Sequence, residues 1–232
     1  MNKILFEDVE NKIKSALMNR KKQFVTGDRV NILAVTKNHL PELIADCFAE
    51  GLTEVGENRV QEAMHKQEVI AEQGITWHLI GHLQTNKARQ AVGAFDLIES
   101  VDSIRLMELL DREAERINKV QKILLQINIA QEPQKTGFTV EEYQLAVKEI
   151  GKLQHLSLQG IMVIAPNTEQ TEIIRSVFRK GYELFAELKK LYPVSILSMG
   201  MSQDFPIAIE EGANQVRLGS ALFGARDYSL KF

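Results

Sequence analysis

The chain has 232 residues, of which 44% are hydrophobic and 25% are charged, a composition typical of a globular protein long enough to bury a large core. The net charge of −3 provides no general attraction to nucleic acid or to an anionic membrane. The single cysteine, Cys47, excludes a disulfide framework and predicts a core residue in a protein of the reducing cytoplasm. Residues 1–10 are too acidic for a signal peptide, and no segment has the roughly 18 apolar residues of a membrane span.

Helix-like and strand-like segments alternate along the chain. Apolar residues at helical spacing, among them Val9 and Ile13, predict a leading helix over residues 6–24. The predicted strands are, in chain order, residues 31–36, 53–55, 76–80, 96–99, 122–129, 158–164, 194–198 and 215–218. The predicted helices between them cover residues 41–50, 58–72, 103–117, 140–153, 170–191 and 202–211. Ser103 and Thr139 precede two of these helices and are typical N-cap residues.

This alternation predicts an α/β fold with parallel strands joined by right-handed crossovers. Eight such units in 232 residues favour a single (β/α)₈ TIM barrel with an extra N-terminal helix over an open doubly wound sheet. No linker rich in Gly, Pro or Ser interrupts the pattern. We therefore expect one domain over residues 1–232.

Lys37 directly follows the first predicted strand, at the end of the barrel where α/β enzymes place their chemistry. An amine held partly out of water has a lowered pKa, and only the neutral amine attacks a carbonyl to form a Schiff base. The alternative is a lysine that closes the strand and extends its ammonium into solvent. Position alone favours this alternative, and the rest of the sequence decides between the two.

Two loops that follow the last two predicted strands contain small and hydroxylated residues. Ser198 and Ser202 flank a glycine after the seventh strand, and Gly219 and Ser220 follow the eighth. Barrel loops at these two places often bind phosphate through backbone N–H groups. Each loop taken alone is more typical of turn and cap residues, but their adjacency in a barrel favours a phosphate site. Arg217 lies beside this site and could face a ligand ring, where it would keep a pyridine nitrogen unprotonated.

Other kinds of site find little support. His78 and His82 are four residues apart, but they straddle a strand end and cannot form a helical pair of metal ligands. There is no Ser/His/Asp constellation, no nucleophile elbow and no nucleotide-binding glycine loop. We therefore predict neither a metal site nor a set of catalytic residues.

Five motifs in order along the chain resemble the pyridoxal-phosphate homeostasis protein family (YggS/PROSC). They are AVTK at 34–37, GENRVQ at 56–61, WHLIGHLQTNK at 77–87, LSMGMS at 197–202 and VRLGS at 216–220. The resemblance implies a barrel similar to the N-terminal domain of alanine racemase, with pyridoxal 5′-phosphate (PLP) carried as a Schiff base on Lys37. It also implies a cofactor site in which some residues hold the phosphate, Arg217 faces the pyridine nitrogen and others form the walls. The phosphate residues are Ser198, Met199, Gly219 and Ser220, and the wall residues are Asn58, Ile80 and Met162. Ser202, in the loop after the seventh strand, is a further predicted cofactor-binding residue.

The sequence departs from alanine racemase in its second base. Racemases of that family use a tyrosine from a separate C-terminal domain, which we do not expect in a chain of this length, and Pro41 stands where they carry a tyrosine four residues after the lysine. The resemblance therefore implies a cofactor carrier that acts in PLP homeostasis without established catalysis. The alternatives are a weak PLP-dependent racemase or lyase and an interaction module. We expect a monomer that binds neither nucleic acid nor membrane, with PLP-dependent apoenzymes as candidate partners.

Overall fold

The computed structural model describes residues 3–70 and 74–224, and the strands in these ranges all belong to one sheet. The strands are β1 Asn31–Val35, β2 Glu54–Glu57, β3 Thr76–Leu79, β4 Leu97–Val101, β5 Gln121–Ile127, β6 Leu156–Val163, β7 Ile196–Met201 and β8 Gln215–Leu218. Each strand pairs in parallel with the next, and β8 pairs with β1 through the register of Asn31 with Gln215 and Ala34 with Leu218. The sheet is therefore a closed barrel, and the predicted (β/α)₈ fold is confirmed.

Helices lie on the outside of the barrel, with α1 before the first strand, α9 after the last and the others between consecutive strands. They are α1 Lys3–Met18, α2 Glu42–Ala49, α3 Val60–Val69, α4 Ala88–Ala94, α5 Ile104–Arg116, α6 Val140–Glu149, α7 Thr171–Leu191, α8 Phe205–Glu210 and α9 Ser220–Phe223. Within the described residues, none of these helices is long and apolar enough to cross a bilayer. The organisation of residues 1–232 as a single domain stays a prediction for the chain as a whole.

The predicted leading helix exists but is shorter than its pattern suggested, because α1 ends at Met18. Its apolar stripe, with Val9 and Ile13, packs with Phe205 of α8 and Leu222 of α9 in one buried cluster. Cys47 lies in the same cluster, fully buried, as expected of a core residue. Burial raises the pKa of its thiol to about 12, so this cysteine is chemically inert.

The predicted N-caps of two helices are confirmed. The Ser103 hydroxyl accepts a hydrogen bond from the Leu106 N–H at the start of α5. Thr139 and Glu142 form a reciprocal capping box at the start of α6, which satisfies two N–H groups that the helix leaves unpaired. The predicted end of the helix over residues 58–72 lies outside the described residues.

Three strands run further than their sequences suggested. β4 ends at Val101, two residues beyond its predicted end at residue 99. β2 extends to Glu57 because Gly56 and Glu57 continue the parallel ladder opposite His78 and Leu79 of β3. β7 extends through Gly200 to Met201. A Cβ atom at Gly200 would lie 2.7 Å from the Ala208 Cβ, so glycine lets α8 pack directly against the strand.

The barrel interior is filled in two different ways. Leu97, Leu124 and Met162 form an apolar layer from strands β4, β5 and β6. Glu99 and Arg217 are also buried inside, at 0% and 4% exposure. Buried charges of this kind are stable only when they are paired and hydrogen-bonded, so their partners define what the interior can do.

Candidate functional site

Lys37 lies at the carboxyl end of β1, half-buried at the mouth of the barrel. The Thr36 N–H still donates to the Gly56 oxygen of β2 at 3.1 Å, so the chain leaves the sheet at Lys37 itself. Asn38 then adopts a left-handed conformation with φ 59°, which is tolerated by asparagine better than by most residues. The structure thus places Lys37 at the mouth, where its sequence position predicted it.

The loops after β7 and β8 form one unit. The Ser202 hydroxyl accepts hydrogen bonds from the N–H groups of Gly219, at 3.3 Å, and Ala221, at 3.1 Å. Ser220 is exposed at the start of α9, while Gly219 is buried. The predicted adjacency of these two loops is therefore present, and Ser202 is the side chain that joins them.

Ser198 and Met199 turn their side chains to opposite faces of β7, as neighbours in a strand must. The Ser198 hydroxyl lies inside the barrel, where it donates to Glu99 Oε2 at 2.6 Å. The Met199 side chain points outward to α7, because a Cβ atom at Gly181 would lie 2.8 Å from its Sδ. Both side chains are fully buried, so neither one lies at the mouth. The role of Ser198 and Met199 in a phosphate site stays a prediction, and it now rests on their backbone groups and not on their side chains.

Arg217 points into the barrel. Its guanidinium donates to the Ser198 Oγ at 2.8 Å and to the Val163 carbonyl oxygen at 2.9 Å. Burial lowers the pKa of this guanidinium, while the negative charge of Glu99 acts to raise it. The Ser198 hydroxyl accepts from Arg217 and donates to Glu99, so it links the two charges and holds the guanidinium in one orientation.

Glu99 is the centre of this interior network, and sequence reasoning missed it. Its Oε1 also lies 2.7 Å from His78 Nδ1 and accepts from the Gln215 side-chain amide at 2.7 Å. Burial acts to raise the pKa of the Glu99 carboxyl, but its contacts with His78, Arg217 and Ser198 outweigh burial and bring the pKa below its usual range. The one available signal was an acid that follows two apolar residues, Leu97 and Ile98, within a predicted strand.

The three predicted wall residues lie at different depths. Ile80 and Asn58 are half-buried at the ends of β3 and β2, and the Ile80 N–H donates to the Glu57 carbonyl at 2.9 Å. A Cβ atom at Gly81 would collide with the Asn58 carbonyl oxygen, so glycine is required where these two loops meet. Met162 is fully buried in the apolar layer of the barrel and could only form a floor below the mouth.

A second buried ionic group lies behind Lys37, between the barrel and α3, and sequence reasoning missed it as well. The Lys66 ammonium donates to Glu57 Oε1 at 2.7 Å and to Glu62 Oε1 at 2.8 Å, and all three side chains are at most 3% exposed. The Thr36 hydroxyl donates to the same Glu57 oxygen at 2.6 Å. We call these four residues the Lys66 cluster. Burial is the main cause that raises the pKa of Glu57 to about 7, with the neighbouring Glu62 charge adding to it and Lys66 opposing it.

Comparison with known proteins shows the relationships of this chain. The sequence model of the alanine racemase N-terminal domain matches residues 16–227. A pyridoxal phosphate homeostasis protein from Haemophilus influenzae is 37% identical over 226 residues, which is 95% of this chain and 94% of that protein. The chain belongs to the pyridoxal phosphate homeostasis protein family. A second member, from Aquifex aeolicus, is 40% identical over 199 residues, or 85% of this chain and 87% of its own.

Solved structures of similar proteins agree with this family assignment. PipY of Synechococcus elongatus without PLP is 41% identical with a TM-score of 0.80, covering 84% of this chain and 93% of its own. The same protein with PLP bound gives 38% identity and a TM-score of 0.78, covering 91% and 100%. An alanine racemase of Clostridium difficile is only 15% identical at a TM-score of 0.71, covering 96% of this chain and 59% of its own. At that identity the racemase shares the fold, and nothing further follows.

Proposed function

We propose that this protein binds pyridoxal phosphate and serves its homeostasis, carrying the cofactor as a Schiff base on Lys37 without catalysing a reaction of its own. The observation that carries the proposal is the position of Lys37 at the barrel mouth, together with the joined loops after β7 and β8 at the same end. Support also comes from the relatives, which are named homeostasis proteins, and from PipY, whose structure was solved with PLP bound.

The residues at the mouth fit the chemistry of this cofactor. Pyridoxal phosphate presents an aldehyde, a phosphate and a pyridine nitrogen, and it supplies a carbonyl carbon that amines attack. Lys37 offers the amine, and Ser202, Gly219 and Ser220 offer hydroxyl and backbone groups for the phosphate. Arg217 lies deeper, inside the barrel, where Ser198 holds its guanidinium, and we propose that it faces the ring from there.

Lys37 would bind the aldehyde covalently. Its neutral amine forms the new C–N bond, and the aldehyde oxygen leaves as one molecule of water. The bond is reversible by hydrolysis, which suits a protein that takes up a cofactor and releases it.

Arg217 favours carriage over catalysis. A guanidinium donates hydrogen bonds and remains protonated at neutral pH, so it does not protonate a pyridine nitrogen. An unprotonated ring is a weak electron sink. Pro41 at the fourth position after Lys37 also offers no second proton acceptor.

The protein as proposed acts as a monomer in the cytoplasm and passes pyridoxal phosphate to apoenzymes that need it. Transfer can be followed by mixing the loaded protein with an apoenzyme and measuring the activity that the apoenzyme regains. Recovery faster than the release of cofactor into buffer supports direct transfer. Recovery at the release rate restricts the protein to buffering the free cofactor.

The test of binding is the visible spectrum of the protein after incubation with pyridoxal phosphate and removal of the excess. We expect the absorption band of a Schiff base in the wild type and its loss in Lys37→Ala. Lys87→Ala, which changes a half-buried lysine just after the loop that follows β3, is the matched control and should keep the band. A wild-type protein without the band would refute the proposal.

A second candidate function is a weak PLP-dependent racemase or lyase. One observation favours it: His82 Nδ1 lies 2.9 Å from Asp102 Oδ2 at the carboxyl ends of β3 and β4, and His82 is about half exposed (52%). A histidine oriented by a carboxylate can accept a proton. Exchange of the α-hydrogen of alanine for deuterium from solvent tests this function, and a rate that falls in His82→Asn would establish it.

A further inference from the structure

The Lys66 cluster holds the backbone on both sides of Lys37. On one side, the Lys66 ammonium donates to the carbonyl oxygen of Thr36 at 2.7 Å. On the other side, the Asn38 N–H donates to Glu62 Oε1 at 2.6 Å. That carboxylate oxygen is itself bonded to Lys66 at 2.8 Å. The two peptide groups that flank Lys37 are therefore tied to one ammonium ion.

The cluster joins three elements at the point where Lys37 leaves the sheet. Thr36 follows β1, Glu57 is the last residue of β2, and Glu62 and Lys66 lie one turn apart on α3. Hydrogen bonds between charged groups are roughly twice as strong as neutral ones. A set of such bonds in a buried place fixes the backbone at Lys37 more tightly than the ladder alone, which ends at Thr36.

Stability alone does not account for this arrangement. Replacing a buried ionic group with apolar residues of similar volume is often neutral or stabilising. The formal charge of the cluster is also unbalanced, with one ammonium and two carboxylates. Its hydrogen bonds instead reach the backbone of Thr36 and Asn38, the two neighbours of Lys37.

We propose that Lys66, together with Glu57 and Glu62, is a positioning group that sets the height and direction of Lys37 in the barrel mouth. The inference rests on the proposed function, because it concerns the lysine that would form the Schiff base. The cluster supplies no atom to the bond. It keeps the Lys37 amine where it can reach an aldehyde carbon, and misplacement by about 1 Å is enough to slow such a reaction strongly.

The test separates bond formation from cofactor binding. The rate of Schiff-base formation is measured by stopped-flow absorbance with pyridoxal phosphate. The affinity is measured separately with pyridoxine 5′-phosphate, which lacks the aldehyde. For Lys66→Met we expect the rate to fall by about tenfold or more, while the affinity for pyridoxine 5′-phosphate changes by less than about threefold, since the non-covalent contacts remain.

Lys119→Met is the control for the loss of a lysine that ties down backbone, although Lys119 is half-buried where Lys66 is fully buried. The Lys119 ammonium donates to the carbonyl oxygens of Val92 and Phe95, both at 2.7 Å, and so it also ties down backbone. Its partners lie at the end of α4, away from the site. This variant should lose stability but keep the wild-type rate of Schiff-base formation.

Lys66→Met leaves two buried carboxylates without their ammonium, which can prevent folding. The double variant Lys66→Met/Glu57→Gln reduces this problem, because only the Glu62 carboxylate then lacks the ammonium and the cluster keeps its formal charge of −1. It still lacks the bond to the Thr36 carbonyl. The same slow formation with normal pyridoxine 5′-phosphate affinity is expected.

The outcomes distinguish the two proposals. A folded double variant that forms the Schiff base at the wild-type rate would overturn the positioning role. Equal losses of rate and of pyridoxine 5′-phosphate affinity would also overturn it, because they indicate a general disturbance of the site. If the wild type itself forms no Schiff base, the proposed function is wrong, and this result is distinct from a failure of the positioning role alone.

Discussion

The Ser202 hydroxyl accepts a hydrogen bond from the Gly219 N–H at 3.3 Å, and this contact joins the loop after β7 to the loop after β8. A second bond, from the Ala221 N–H at 3.1 Å, fixes the first turn of α9. One hydroxyl therefore holds in place the loop that we propose for the phosphate.

Ser202→Ala should weaken phosphate binding more than it weakens the fold. Loss of a cap of this kind costs about 1 kcal/mol of stability. Misaligned N–H groups should lower the affinity for pyridoxine 5′-phosphate by about tenfold, by analogy with the loss of one positioned charge-assisted contact. Calorimetric titration measures the affinity, and urea unfolding measures the stability.

The control for this change is Ser176→Ala. The Ser176 hydroxyl donates to the Ile173 carbonyl on the exposed face of α7, so its removal should alter neither quantity by much. An unchanged affinity in Ser202→Ala would show that the two loops do not bind the phosphate.

Gly200→Ala should destabilise the fold strongly. Gly200 has φ 90°, and an added Cβ atom would lie 2.7 Å from the Ala208 Cβ and 2.8 Å from the Phe205 Cα. Left-handed strain and overpacking each cost about 1–3 kcal/mol. We expect the free energy of unfolding, measured in urea, to fall by about 3 kcal/mol.

Gly51→Ala isolates the conformational part of that effect. Gly51 has φ 82° with nothing within 4 Å of an added Cβ atom, so this variant should lose only about 1 kcal/mol. Equal losses in the two variants would mean that α8 adjusts freely and that close packing at Gly200 is unimportant.

Glu99→Gln should destabilise the barrel interior in a way that depends on pH. The variant leaves the buried Arg217 charge without its counter-ion, which costs about 3 kcal/mol near neutral pH. The folded-state pKa of Glu99 is below its usual value, so the stability that this ionised carboxyl contributes is present above the unfolded pKa of about 4.5 and is lost as the pH falls through the folded pKa.

Urea unfolding from neutral to acidic pH checks this prediction. The gap in free energy between the wild type and Glu99→Gln should narrow below about pH 4.5. Glu149→Gln, which removes an exposed partner of Lys152, is the surface control and should show little effect at any pH. A gap that does not depend on pH would indicate that Glu99 is not ionised in the fold.

Glu57→Gln should have the opposite pH signature. Because the folded-state pKa of Glu57, about 7, is above its ordinary value of 4.5, the folded protein binds the proton more tightly than the unfolded chain does. Stability should therefore fall as the pH rises from 4.5 to 7, by at most about 3 kcal/mol from this group. The urea concentration at the midpoint of unfolding should fall more steeply with rising pH in the wild type than in Glu57→Gln. Parallel curves would contradict the raised pKa.

The barrel itself was predictable because its signals are local. Apolar runs such as that before Lys37 alternate with amphipathic segments, and this rhythm is enough for eight parallel strands. Lys37 and the loops near Ser202 and Gly219 followed from the rule that functional groups lie at the carboxyl ends of strands.

The interior of the site was less predictable because it depends on register and on depth. Ser198 was expected at the mouth, yet the strand continues through Gly200 and turns the Ser198 hydroxyl inward to Glu99. Lys66 looks like any polar residue of a helix, and only the meeting of three elements buries it. Contacts between residues far apart in sequence leave no periodic pattern by which they could be found.

The most direct measurement of the central claim is reduction of the loaded protein with borohydride, followed by peptide mass mapping. Reduction makes the bond between an amine and pyridoxal phosphate permanent. In the wild type we predict one modified peptide, which carries the cofactor on Lys37. In Lys37→Ala we predict no modified peptide. Modification of a different lysine in the wild type, or undiminished modification of Lys37→Ala, would contradict the account.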